Sequence, residues 1–139
     1  MNRIVNLLLF CLFSISCFAQ KTDNYAPSPS KVFGMEFETR HIDLGSVKQG
    51  EKREFDFFFT NTGTEDIEIE IVSACECSTL DWPVKAVKPG DRKKINVIFD
   101  STEKEESETV EIDINLKNRD PDNGYKRLEI LSFSFELVK

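Results

Sequence analysis

The stretch from Phe55 to Thr79, FDFFFTNTGTEDIEIEIVSACECST, constrains this chain more than any other. Phe55, Phe57 and Phe59 fall on one side of an extended strand, with Glu54, Asp56 and Thr60 on the other, because side chains alternate along a strand. Ile67, Ile69 and Ile71 repeat the pattern against Asp66, Glu68 and Glu70. Each such side chain stabilises by about 1.5–3 kcal/mol when buried. A slip of one residue would expose all of them, so the register is strongly specified. Between the runs, Asn61-Thr62-Gly63 tolerates the positive φ of a tight loop, and a hairpin is expected.

The rest of the chain carries the same period. Apolar positions change parity between Phe37 and Ile42, which predicts a first strand over residues 31–44 with a bulge or bend. Gly45 and Gly50 bracket a loop. The second run ends in Cys75-Glu76-Cys77, and Trp82-Pro83 then demotes residues 78–87 to a loop or short edge segment. Lys88-Pro89-Gly90-Asp91 suits a type II turn. Ile95, Val97 and Phe99 point inward from residues 92–100; residues 101–108 lack apolar side chains and read as a solvated connection. Val110, Ile112, Ile114 and Leu116 share a face, and Pro121-Asp122-Asn123-Gly124 is a turn. In residues 126–138, Leu128 and Ile130 are followed by Leu131, Phe133, Phe135 and Leu137. A β-bulge at that parity switch would keep both sets in the core. No window shows a helical period. Six or seven such strands predict an all-β chain, an immunoglobulin-like antiparallel β-sandwich of about seven strands over residues 34–139.

Residues 1–19 have the form of a signal peptide: Arg3, an apolar run over residues 4–16, and Cys17-Phe18-Ala19 before Gln20. The run is shorter than the ~20 residues that span a bilayer. Ordinary cleavage after Ala19 is the expectation. The alternative is lipidation of Cys17, since Ser14-Ile15-Ser16-Cys17 partly resembles a lipoprotein processing site. Residues 20–33 then form a flexible spacer, with no transmembrane segment in the mature chain.

Of 18 Lys and Arg, only Arg3 lies in the leader, so the mature chain keeps 17 against 25 Asp and Glu, a formal charge of −8. Nucleic acid and anionic membranes both require a basic footprint and are excluded as partners on this ground. A membrane attachment would come only through Cys17.

Cys75 and Cys77 are the two cysteines left after the leader, and export would place them where disulfides persist. On an extended strand their Cα atoms would stand about 6.6 Å apart. That is close to the ~6.8 Å limit for a disulfide, so a bond requires the strand to bend or end there. The pair can be half-buried sulfurs or a local staple, a thiol–disulfide exchanger, or two ligands of a soft metal. A closed zinc site wants four ligands, and only His41 and Met35 could add to the pair. His41 itself reads as a surface histidine, with no Gly-x-Ser-x-Gly elbow beside it. The carboxylates of Asp66, Glu68, Glu70, Glu111 and Asp113 read as solvated faces, and residues 120–124 as a turn without the glutamate that completes a calcium loop. Phe58 and Trp82 are candidates for an apolar contact patch.

Taken in order, His41-Ile42-Asp43-Leu44-Gly45, Gly50-Glu51, Phe57 to Asn61-Thr62-Gly63, Cys75-Glu76-Cys77-Ser78-Thr79 and Pro89-Gly90 with Ile95, Val97 and Phe99 resemble the domain-of-unknown-function 1573 family. The resemblance runs over residues 37–118. It implies an exported bacterial protein with an immunoglobulin-like fold, related to hydin-type and major-sperm-protein-like sandwiches, and no reaction. Leu44 stands where that family has Phe, and Glu76 where it has Gly, which argues against a positive φ at that residue.

These readings converge on a non-catalytic binding or scaffold module without a cofactor. It would be exported to the periplasm or cell surface and recognise another envelope or extracellular protein through a sheet face or edge. The alternative is a soft-metal or redox protein using Cys75 and Cys77.

Overall fold

The computed structural model describes residues 28–139; the leader, Cys17 and the first part of the spacer lie outside them. Eight strands form two four-stranded sheets: β1 (Met35–Phe37), β2 (His41–Lys48), β3 (Lys52–Asn61), β4 (Ile69–Ser73), β5 (Ser78–Asp81), β6 (Arg92–Asp100), β7 (Glu108–Arg119) and β8 (Lys126–Val138). The first sheet has the order β1-β3-β6-β5, the second β2-β8-β7-β4. The predicted sandwich is present, one strand richer than expected. It is not wholly antiparallel, because β2 runs parallel to β8.

The alternating side chains make the core. Phe57, Phe59, Ile95, Val97 and Phe99 of the first sheet meet Ile112, Ile114, Leu116, Leu131 and Phe133 of the second, all fully buried or nearly so. Rings cross the interface: Phe55 lies 5.1 Å from Phe133, and Phe99 lies 4.6 Å from Phe135. Neither sheet has another apolar surface of this size to cover it, so each layer depends on the other.

The expected hairpin does not form. β3 belongs to the first sheet and β4 to the second, because two strands with matching oily faces bury more by facing each other than by lying side by side. The chain between them is not a positive-φ loop; among the described residues only Gly45, Gly50, Gly90 and Gly124 have positive φ. Gly63 is required for a different reason. A Cβ there would sit 2.2 Å from the Val32 carbonyl oxygen, since Thr64 N donates to Val32 O and Thr62 N to Gly34 O. Val32 and Phe33, read as the end of the spacer, are thus tied to this corner, and Phe33 packs on the core.

Two further parity arguments resolve differently from expectation. The change between Phe37 and Ile42 marks a switch of sheet, from β1 to β2, rather than a bulge in one strand. The bulge lies later, between Asp43 and Ser46, where Gly45 adopts φ +64° within the strand instead of opening a loop. At Ile130/Leu131 there is no bulge: β8 pairs with β7 in unbroken register from Leu128 to Phe135. Leu128 and Ile130 consequently face outward. The inward positions Arg127 and Glu129 are polar and are matched by Asp120 and Arg40, while the Arg127 guanidinium covers the Phe33 ring at 4.6 Å. In β4 a register shift between Ile69 and Ile71 turns Ile71 outward and puts Val72 in the core in its place.

The turn at Lys88–Asp91 forms as read: Asp91 N donates to Lys88 O at 3.0 Å and Gly90 has φ +85°. β5 is an edge strand, as Trp82-Pro83 implied.

Asn61 and Ser101 are the buried polar residues among those described, and each closes a corner. The Asn61 amide donates to Glu65 O (2.8 Å) and Val87 O (2.9 Å) and accepts from Gly63 N (2.9 Å). Ser101 Oγ lies 2.8 Å from Lys48 O and 2.9 Å from Glu51 O. Asn61→Ala strands the Glu65 carbonyl and the Gly63 amide and takes one of two donors from Val87 O, which Ile67 N still serves. It is expected to lower unfolding free energy by about 2–4 kcal/mol; urea denaturation showing a loss within ~0.5 kcal/mol would contradict this.

On the outer face of the first sheet, hydrogen bonding from Asn96, then from Lys94, holds the Asp56 carboxyl below its ordinary range. A lowered folded-state value means stability that is present above the unfolded value and lost as pH falls through the folded one. Urea midpoints should therefore drop below about pH 4, less steeply in Asp56→Asn; identical slopes would count against the pairing.

Candidate functional site

β4 ends at Ser73, and residues 74–77 carry the chain from the second sheet to the first. Ser78 N donates to Cys75 O at 3.0 Å, closing a turn, and Asp100 N donates to Cys77 O at 2.8 Å, where β5 begins to pair with β6. Glu76 sits in this turn without positive φ. Ending the strand brings the Cys75 and Cys77 Cα atoms to 5.1 Å, and the two sulfurs are joined as a disulfide. Both cysteines are half-buried against the core margin. The Ser78 hydroxyl stands 3.5 Å from Cys75 Sγ and 3.8 Å from Cys77 Sγ.

Beside this turn opens a cleft of about 380 Å³ lined by Glu76, Cys77, Asp100, Thr102 and Glu103. The hydroxyl and amide of Thr102, followed by Lys52, hold the Asp100 carboxyl below its ordinary range. Three carboxylates, Glu76, Asp100 and Glu103, thus line this cleft, against one ammonium, Lys52, paired to Asp100.

The other sequence candidates lie elsewhere. Met35 is buried in the core. His41 is exposed on β2, at the far edge of the second sheet from β4, roughly 14 Å away by strand spacing. Its ring nitrogens meet Ser132 Oγ (2.9 Å) and Ser134 Oγ (3.0 Å). A Ser–His–Asp relay needs a carboxylate on one of them. Among the described residues no group of three or more His, Cys, Asp or Glu is placed to hold a metal ion. In residues 120–124 the Asp120 carboxylate accepts from Asp122 N and pairs with Arg127, so the segment is a turn.

The predicted patch of Phe58 and Trp82 is not an open one. Arg92 lies over the Phe58 ring at 4.0 Å, and Trp82 packs on the core. The exposed apolar cluster is instead on the outer face of the second sheet. Ile71 and Leu128 flank Asn115 in one cross-strand row, and Ile130 lies in the next beside Asp113. These three are 49%, 51% and 46% exposed. The parity switch in β8 was the signal for two of them. No helix among the described residues is long and apolar enough to cross a membrane.

No curated protein matches the sequence. A protein of unknown function from Porphyromonas gingivalis superposes with TM-score 0.63 at 20% identity, over 83% of this chain and 51% of that one. The ASH/PapD-like domain 7 of human CEP192 gives 0.58 at 13%, over 76% and 85%. The secreted serine protease VesC of Vibrio cholerae gives 0.58 at 16%, over 75% of this chain and 23% of the protease. The chain thus spans about half of the first of these and about a quarter of the last. At such identities the likeness is one of fold, the immunoglobulin-like sandwich. The family described as Protein of unknown function (DUF1573) matches residues 35–130, most of the described domain, and the chain belongs to that family.

Proposed function

We propose that this chain is an exported, non-catalytic binding module of the bacterial cell envelope, periplasmic or cell-surface, which recognises another protein through the outer face of its second sheet. The observation that carries the reading is the exposed trio Ile71, Leu128 and Ile130. In β8 alternation in unbroken register turns Leu128 and Ile130 outward, and in β4 the register shift after Ile69 does the same for Ile71, so the three sit on one face spanning β4, β7 and β8. Apolar side chains grouped on a sheet face, rimmed by polar residues, are the usual form of a protein contact surface. Polar neighbours here are Asp113, Asn115 and Ser73, with the Lys126–Glu70 ion pair (2.6 Å) beyond them. The leader pattern of residues 1–19 supports export, and the immunoglobulin-like fold supplies two outer faces free of core duty.

The test is in-cell crosslinking of the full-length protein followed by affinity capture and mass spectrometry, with Leu128→Glu/Ile130→Glu as the comparison. A specific envelope protein should be captured by the wild type and lost by at least about tenfold in the double variant, with the far-ultraviolet circular dichroism of the two unchanged. Equal capture by both would remove this face from the proposal. Capture of nothing beyond background would remove the binding function.

A further inference from the structure

We propose that the Cys75–Cys77 disulfide is a stoichiometric acceptor for thiol–disulfide exchange, attacked at Cys77 from the acidic cleft, with Cys75 as the leaving sulfur and a cation-bearing dithiol as the reductant. Three observations place the roles, none of them drawn from the docking face. Cys77, and not Cys75, lines the cleft, so a thiolate entering there approaches the bond from the Cys77 side. With both sulfurs bonded to each other, neither carries a hydrogen, and the Ser78 hydroxyl must be the donor in its contacts with them. It is nearer to Cys75 (3.5 Å) than to Cys77 (3.8 Å), so charge arriving on Cys75 is met by a hydrogen bond. Glu76, Asp100 and Glu103 surround the Cys77 side of the bond, where negative charge on sulfur is disfavoured. Exchange proceeds through the sulfur whose partner is the better-stabilised leaving thiolate.

The step balances. The thiolate of the dithiol bonds to Cys77 Sγ, the Cys75–Cys77 bond breaks, and its electron pair goes to Cys75 Sγ, which takes a proton from water. The second thiolate of the reductant then attacks its own sulfur in the mixed disulfide. This releases Cys77 as a thiolate, which is likewise protonated. Two electrons pass from the dithiol, which leaves as a disulfide, to the protein, which leaves as two thiols. One residue separates the cysteines, so the bond constrains the unfolded chain little. The two sheets, held by their core, are not dismantled when it opens.

Charge sets the choice of reductant. Lys52 pairs with Asp100 at 3.2 Å, whereas Glu76 and Glu103 have no ion-pair partner among the described residues. An anionic thiol is repelled from this cleft and a cationic one drawn in, an effect that salt screens.

The experiment treats the folded, oxidised protein with cysteamine or with mercaptoethanesulfonate, and normalises each rate to that thiol's rate against uncharged hydroxyethyl disulfide. Trapping with an alkylating agent and peptide mass spectrometry then reads which cysteine carries the thiol. Cysteamine should react faster by about threefold or more at low salt, with the ratio shrinking toward one at 1 M salt. The adduct should sit on Cys77 and the alkyl group on Cys75. Dithiothreitol should carry the protein to the dithiol with its circular dichroism unchanged. Ser78→Ala should slow opening and shift adducts toward Cys75, and Ser78→Thr, which keeps the hydroxyl, should restore both. Adducts chiefly on Cys75, normalised rates blind to charge, or a disulfide inert to all three thiols would each overturn the assignment. None of these outcomes bears on the apolar face of the second sheet.

Discussion

Everything in this molecule depends on two oily sheet faces that only each other can cover. The first sheet contributes a row of phenylalanines, Phe55, Phe57, Phe59 and Phe99, and the second answers with Phe133, Phe135 and aliphatic side chains from β7. Their rings interlock across the layers at 4.6–5.2 Å. This single interface explains the winding of the chain. Five of the seven connections pass from one sheet to the other, because consecutive strands with matching inner faces bury more in opposite layers. Corners then become the places where polar backbone must be satisfied away from water. Asn61 and Ser101 stand at two of them, each with carbonyl partners on neighbouring corners. Buried polar groups of this kind cost stability unless bonded, which is why both are fully engaged.

The strands were legible in the amino-acid order to within a few residues, since a period of two needs no tertiary knowledge. Phe57, Ile95 and Ile112 could be placed inside from their neighbours alone. Pairing was less legible. Alternation says which side of a strand is oily but not which layer the strand joins, so Phe55–Asn61 and Ile67–Ile71 read as a hairpin when they oppose one another. The same ambiguity hid the parallel pairing of β2 with β8. Parity switches are visible in the sequence, but a bulge that hides every apolar residue is only one way a strand can accommodate them. At Ile130 the backbone keeps its register and leaves the side chain in solvent. In β4 a real shift occurs at Glu70, where the Lys126 ammonium holds the carboxylate on the outer side.

Of the candidate sites, the Cys-x-Cys spacing was plain in the sequence, and so was the condition for its closure, a strand that stops. The neighbours were not. Ser78 is adjacent in the chain, but Asp100, Thr102 and Glu103 arrive from the end of β6 through pairing with β5. The outer apolar trio joins β4 to β8 across β7, a relation that only the register supplies. Both features sit where the core no longer dictates the side chain: a corner between layers and an outer sheet face. The scaffold holds them without taking part in them.

The layer assignment of β3 and β4 is the point on which the account turns, and backbone nuclear Overhauser contacts read it directly. In uniformly labelled protein, the strand containing Phe57 should show cross-strand contacts to the strand containing Ile95, and Ile69 to Leu116, with no ladder between β3 and β4. A continuous β3–β4 ladder through Asn61-Thr62-Gly63 would put both oily faces in one sheet and contradict the sandwich described above.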